Sequence, residues 1–305
     1  MFLFPFPLES ENCNISSIMV KSYAKLNLIL RIFNIRADGY HNLFSLFQRI
    51  DLWDGLTFEG HKGGIVIDSD SPHLPLDRTN LIYRAAELLK KKSNKNNGLK
   101  IIIQKNIPLG AGLGGGSSNA AVTLLEINKL WGLGYSVDDL AGLGMLLGSD
   151  VPFFCHQLSS AWVTGRGENI RPASLYSDLW FVLVYPGFPI QTREAYSLWD
   201  RSQIENKKEL TINDNNNTIS SFETLKGRAF LDLLENDFEA LIFNEFPVLK
   251  KIKKHLIEQK AEKVMLSGSG STVFGIFFDE KNARDAEAYL KIEFPNGFIR
   301  TVRNF

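Results

Sequence analysis

From Val20 onward apolar and polar positions alternate: Leu26, Leu28, Leu30 and Ile32 fall on one face, and Lys25, Asn27 and Arg31 on the other. A period of two is that of a half-buried strand. Asp38-Gly39 breaks the run, a second β-like run over 43–52 completes a long hairpin, and a third lies at 65–67. The period then changes. Leu81, Ile82, Ala85, Leu88 and Leu89 line one face of a helix over 79–92, with Asp77 or Thr79 as its cap. A short strand over 99–103 leads into IPLGAGLGGGSSNAA at 107–121, and Ser117 or Ser118 caps the helix that runs from there to Trp131. Another helix opens at Ser136, with Asp139 completing a capping box, and stops at Gly148.

Further strands are expected at 160–164 and 179–185, and the Asn-rich stretch 201–221 reads as a surface loop or insertion. The remainder reads helix, helix, strand 263–267, glycine turn, strand 273–278, helix 280–291, strand 297–303. Together with 179–185 this gives β-α-β-β-α-β, a split βαβ layout. The expectation is an α+β chain of two domains, 18–175 and 176–305.

Charge narrows the partners. Lys plus Arg number 34 and Asp plus Glu number 34, so the net charge is zero. That removes the electrostatic footprint of a nucleic-acid binder, and no nucleic-acid partner is expected. No apolar run reaches the length of a membrane span, so no membrane partner is expected either. The start, MFLFPFPLES, has two prolines and no basic segment, and reads as a loosely docked extension rather than a signal peptide. Cys13 and Cys155 lie far apart without metal-ligand spacing. A reducing compartment, the cytoplasm, fits them, and no metal site built from protein side chains is expected.

Five glycines within 107–121 need a reason, because each costs conformational entropy. Gly110, Gly112 and Gly115 satisfy G-x-G-x-x-G, but a Rossmann loop follows directly on its strand. Here residues 104–109 intervene, including Pro108, and a second helix follows where a parallel strand is required. No Gly-Lys-Ser/Thr is present, which excludes a Walker A loop. What remains is a set of backbone N–H groups at a helix N-terminus, placed for an anion. Ser117 and Ser118 could add hydroxyls, to the phosphate or to a phosphate-bound Mg²⁺.

Phosphoryl transfer also needs a group that deprotonates the acceptor and positive charge nearby. Asp150, in GSDVPFF, is either a turn residue or such a base. Lys25 and Asn27, two apart on a strand, can point into one cleft, although a lone Lys on a strand also serves as an edge protector. LSGSGSTVFG at 266–275 reads as a tight hairpin turn, and Tyr40-His41 follows another turn.

Taken in order, AKLN at 24–27, ADGYH at 37–41, PLGAGLGGGSSNAA at 108–121, GSDVPFF at 148–154 and SGSGSTVF at 267–274 resemble the GHMP kinase superfamily, from about residue 20 to the C-terminus. The AKLN and ADGYH stretches are most similar to its kinases of cytidine diphosphate-linked methylerythritol. The resemblance implies an N-terminal domain like ribosomal protein S5 domain 2 and a ferredoxin-like C-terminal domain. It implies ATP with Mg²⁺ along Pro108, Leu109, Gly110, Ala111, Gly112, Leu113, Gly114, Gly115, Gly116, Ser117 and Ser118, with Lys105 reaching a nucleotide phosphate. Asp150 would take the proton of the substrate's hydroxyl, Lys25 would hold Asp150 charged, and Asn27 would position the same hydroxyl. His41 would bond the cytosine, Tyr40 and Tyr196 would cover its two faces, and Thr192 would contact the diphosphate or ribose. Ala111 interrupts a run that is often all glycine, which requires a negative φ there.

Overall fold

The computed structural model describes residues 19–93, 98–174, 178–206, 219–220 and 227–305. The expected N-terminal extension and most of the Asn-rich stretch lie outside the described residues. The fold is α+β, built on two sheets.

The first sheet is organised by a long hairpin of β1 (Met19–Ile35) and β2 (His41–His61). β3 (Ile65–Ser69) and β4 (Gly98–Gln104) extend it on one side, with β4 antiparallel to β2. β5 (Ser160–Gly165) pairs with the first half of β2, and β6 (Asn169–Pro172) pairs with β5. Four helices cover the β2–β4 region: α1 (Leu81–Ser93), α2 (Gly115–Leu130), α3 (Val137–Gly144) and α4 (Val151–Cys155).

The second sheet has the order β11 (Phe298–Arg303), β7 (Trp180–Tyr185), β10 (Val273–Phe277), β9 (Lys263–Leu266), all antiparallel. Alternate residues of β7 serve two cores. Phe181 and Leu183 face the first sheet, and Val182 and Val184 face the helices α5 (Thr192–Asn206), α6 (Glu239–Glu245), α7 (Pro247–Glu258) and α8 (Glu280–Glu293). Burial on both sides explains why this strand is a continuous apolar run, with each such side chain contributing about 1.5–3 kcal/mol. A two-residue strand, β8 (Glu235–Asn236), crosses back and pairs parallel with β1 at Ile29 and Leu30.

Several expectations need correction. β1 is buried on both faces from Ala24 to Leu30, because the second sheet covers one side and the site and helices cover the other. Lys25 is therefore no edge protector. Helix α1 is capped by Asn80, whose Oδ1 accepts from Ile82 N at 2.9 Å, while Asp77 closes a turn on Thr79. Helix α2 begins early, at Gly115: Gly114, in the left-handed region, stands at its N-cap in place of Ser117 or Ser118, and there is no side-chain cap. The capping box of Ser136 and Asp139 is present, but α3 ends at Gly144 and continues to Gly148 only as turns. α5 occupies the first six residues of the stretch read as a loop, and the short strand β6 and helix α4 were not anticipated.

Candidate active site

The loop between β4 and α2 lines a cavity of about 340 Å³. Most of its carbonyl groups are already used. Leu109 O accepts from the Tyr185 hydroxyl at 3.2 Å, Ala111 O from Thr272 N at 3.2 Å, and Gly112 O from Ser267 Oγ at 3.0 Å. Leu113 O accepts from Lys25 N at 3.0 Å, and Gly114 O from Ser118 N at 2.9 Å. With those acceptors taken, the loop offers the cavity donors. Since the first intrahelical bond comes from Ser118, the N–H groups of Gly115, Gly116 and Ser117 have no acceptor within α2. An uncapped helix start with its dipole directed outward suits an anion.

Backbone shape fixes this arrangement. Gly112 has φ +79°, and a Cβ there would collide with the carbonyl oxygens of Ser267 and Gly270. Ala111 is not among the positive-φ residues and is buried, which meets the condition set by its side chain. The second glycine turn is therefore more than a hairpin: Gly268, Ser269 and Gly270 form the facing wall of the cavity. Asn236 holds that wall from behind, its Nδ2 donating to Leu266 O and Gly268 O, each at 2.8 Å.

The chemistry-bearing side chains meet at the other end of the loop. Lys25, on β1, points its ammonium at Asp150 Oδ2 across 3.3 Å and donates to Asn27 Oδ1 at 2.5 Å. The Phe47 ring lies 4.6 Å from that ammonium and closes it off from below. Asn27 Nδ2 is fixed by Ser45 Oγ at 3.0 Å. Asp150 stands at the N-cap of α4 but makes no capping bond. Its side chain keeps 31% exposure where that of Lys25 keeps 5%, so the carboxylate is the open member of the pair. Among the described residues it is the sole acidic residue lining the cavity.

Thr192 and Tyr196, at the start of α5, also line the cavity, and Thr192 Oγ1 lies 3.3 Å from Ser269 Oγ. Burial first, and then the charges of Asp150 and Asp200, push the Tyr196 phenol above the usual tyrosine range. Tyr196 connects the cavity to the turn at Tyr40-His41. Its ring stacks on His41 at 4.8 Å and 14°, while His41 Nε2 bonds Asp200 Oδ1 at 2.8 Å.

Four expected residues sit differently. Tyr40 and His41 are outside the cavity lining; Tyr40 is exposed, with the Arg166 guanidinium 4.7 Å from its ring. Ser118 is turned inward because α2 starts early, and its hydroxyl accepts from Ser22 Oγ at 2.8 Å rather than facing an anion. Lys105 borders the cavity, but its ammonium is committed to Asp54 Oδ2 at 2.7 Å and to the Ile107 carbonyl. Burial holds Lys105 below the usual lysine range against the pull of Asp54. Asp54 is the residue the sequence reading passed over. A partial signal was present: Asp54, Leu56 and Phe58 share one strand face, all are buried, and only one is charged.

Among the described residues, no group of three or more His, Cys, Asp and Glu side chains could hold a metal ion by itself. The donors at the cavity, the Ser117 hydroxyl and the Asp150 carboxylate, suit Mg²⁺ carried on nucleotide phosphates, an ion that keeps several of its waters. No helix among the described residues is long and apolar enough to cross a membrane.

An anion cradle, an ammonium and an open carboxylate around one cavity define a small-molecule phosphotransferase. Family models agree: GHMP kinases N terminal domain matches residues 80–157 and GHMP kinases C terminal matches 219–296. The chain belongs to the GHMP kinases. More narrowly, it is similar to proteins named 4-diphosphocytidyl-2-C-methyl-D-erythritol kinase. That of Syntrophus aciditrophicus is 39% identical over 90% of this chain and 94% of its own length. That of Thermodesulfovibrio yellowstonii is 40% identical over 93% and 96%. A crystal structure of 4-(cytidine 5'-diphospho)-2C-methyl-D-erythritol kinase superposes with a TM-score of 0.72 at 30% identity, covering 94% of this chain and 100% of that one.

Proposed function

We propose that this chain transfers the γ-phosphoryl group of ATP to the 2-hydroxyl of 4-diphosphocytidyl-2-C-methyl-D-erythritol, in non-mevalonate isoprenoid synthesis in the cytoplasm. The supporting observation is the Lys25–Asp150 pair, 3.3 Å apart and open on its carboxylate side, on the same cavity as the free N–H groups of α2. The named relatives supply the substrate.

The free N–H groups of the loop and of Gly115, Gly116 and Ser117 hold the phosphates of ATP. Mg²⁺, when bound with the nucleotide beside Ser117, offsets negative charge on those phosphates. Asp150 accepts the proton of the acceptor hydroxyl as its oxygen attacks the γ-phosphorus. The bond from that phosphorus to the bridging oxygen breaks, and ADP leaves with the electron pair. An alcohol is a poor nucleophile at neutral pH, so an aimed carboxylate is useful. Lys25 pairs with Asp150 across 3.3 Å and adds positive charge near the transferring group, while Asn27 positions the hydroxyl. Thr192 contacts the ribose or diphosphate. His41 and Tyr40 read the cytosine from one side, with Tyr196 reaching that turn from the cavity. Residues 18–175 thus carry the phosphate loop and the base, and 176–305 the facing wall.

The test is ADP release with ATP and Mg²⁺, comparing this substrate with methylerythritol 4-phosphate, mevalonate and homoserine. Turnover with the cytidine-bearing alcohol alone is expected. Turnover with mevalonate or homoserine instead would keep the phosphate loop and overturn the substrate.

A further inference from the structure

One carboxylate touches both ends of the phosphate loop. Asp54 has no exposed surface. Its Oδ1 accepts from Asn106 N and Ile107 N, each at 2.8 Å, on the segment that leads into the loop. Its Oδ2 accepts from Lys105 Nζ at 2.7 Å and from Asn119 Nδ2 at 3.1 Å. Asn119 lies on α2, just past the helix start that presents the free N–H groups. Between these two anchor points runs 108–114, the glycine loop itself. Loop glycines are permissive about φ and ψ, so a glycine-rich loop takes its shape from where its ends are held.

We propose that Asp54 is a positioning residue for phosphoryl transfer. By binding the approach to the loop and helix α2 at once, it sets the distance across which the loop's N–H groups converge on the nucleotide phosphates. Lys105 serves this device: its charge makes a fully buried carboxylate tolerable, and its second bond, to Ile107 O, holds the same approach segment. The inference rests on the reading of the cavity as the ATP site.

The decisive variant is Asn119→Leu. It removes the helix-side bond but leaves the Asp54–Lys105 pair whole, and among the described residues Asn119 Oδ1 has no hydrogen-bond partner to lose. Wild-type protein is first titrated with ATP by calorimetry, and ATP KM and kcat are then measured for both. If wild type binds no ATP, the reading of the cavity fails before the variant is considered. If wild type binds, Asn119→Leu is expected to raise the ATP KM by about tenfold, since small misplacements in a preorganised site are costly. The KM for the alcohol substrate stays within about twofold of wild type, and ADP raises the melting temperature less than in wild type. A role confined to stability predicts instead a lower melting temperature with unchanged ATP KM, and that result would overturn the proposal. The charge-neutral double variant Asp54→Leu/Lys105→Met leaves no oxygen for the N–H groups of Asn106 and Ile107 or for Asn119 Nδ2, and so cuts every tie. It is expected to raise the ATP KM further than Asn119→Leu, and an ATP KM equal to wild type in the folded double variant would also overturn it.

Discussion

Two lysines border the same cavity, each with a side chain at most 5% exposed and each paired with an aspartate, yet the pairs are unlike. Lys105 meets Asp54 at 2.7 Å, and Asp54 is sealed with four donors on its two oxygens. Lys25 meets Asp150 at 3.3 Å, and among the described residues that is the only ion pair Asp150 makes. A saturated carboxylate has no lone pair left for a proton from a substrate and can only hold structure. An unsaturated one, facing a cavity, can accept a proton. The same residue types thus give a fastener in one place and a base in the other, and the difference is the number of donors already spent.

The largest effect should come from the open pair. Asp150→Asn is expected to lower kcat by ~10²–10⁴-fold while the melting temperature holds, as steady-state kinetics and calorimetry would record. If activity survives, Asp150 is not the base and the contrast collapses. The closed pair should respond in the opposite currency. Lys105→Met strands the Asp54 charge and is expected to cost about 3–5 kcal/mol in urea unfolding. If stability is unchanged, the closed pair is not a fastener and the contrast with the open pair fails. Next, Gly112→Ala probes the loop between the pairs. Its positive φ and the collision with the facing wall should cost about 1–3 kcal/mol and weaken ATP binding, readable by melting with and without ADP. Smallest is Ser136→Ala, remote from both pairs, which removes the α3 cap and should cost about 1 kcal/mol in a thermal melt with kinetics unaltered.

What the sequence made legible follows the same division. The Lys25–Asp150 partnership was approached through motifs, because cavity residues sit in loops and strand ends whose local chemistry is visible. The fold class and the split βαβ half came from periodicity sustained over whole elements. Asp54 was missed because its meaning depends on which strand lies beside it, and a single sequence does not display register. Ser117 and Ser118 were read as caps because serine usually caps helices. Here the helix starts at Gly115 without one, and its free N–H groups remain available to a ligand. β8 and α4, two and five residues long, are too short to carry a period. The cavity does not include Tyr40 and His41, and the motif that named them says nothing of the Asp200 contact that orients His41.

The two residues of β8 carry a consequence for inheritance and engineering. Glu235 and Asn236 belong by sequence to the C-terminal half, yet they lie along β1, and Asn236 also grips the second glycine turn. A fragment ending before residue 176 would leave the edge of β1 uncovered and one face of its sheet bare, the condition under which strands aggregate. A chimera that took its C-terminal half from another kinase would have to bring a β8 matching this β1, or the wall facing the phosphate loop would shift. The halves of this chain are therefore not interchangeable parts: crossovers placed at the apparent boundary should be tolerated only when Ile29, Leu30 and Asn236 travel together.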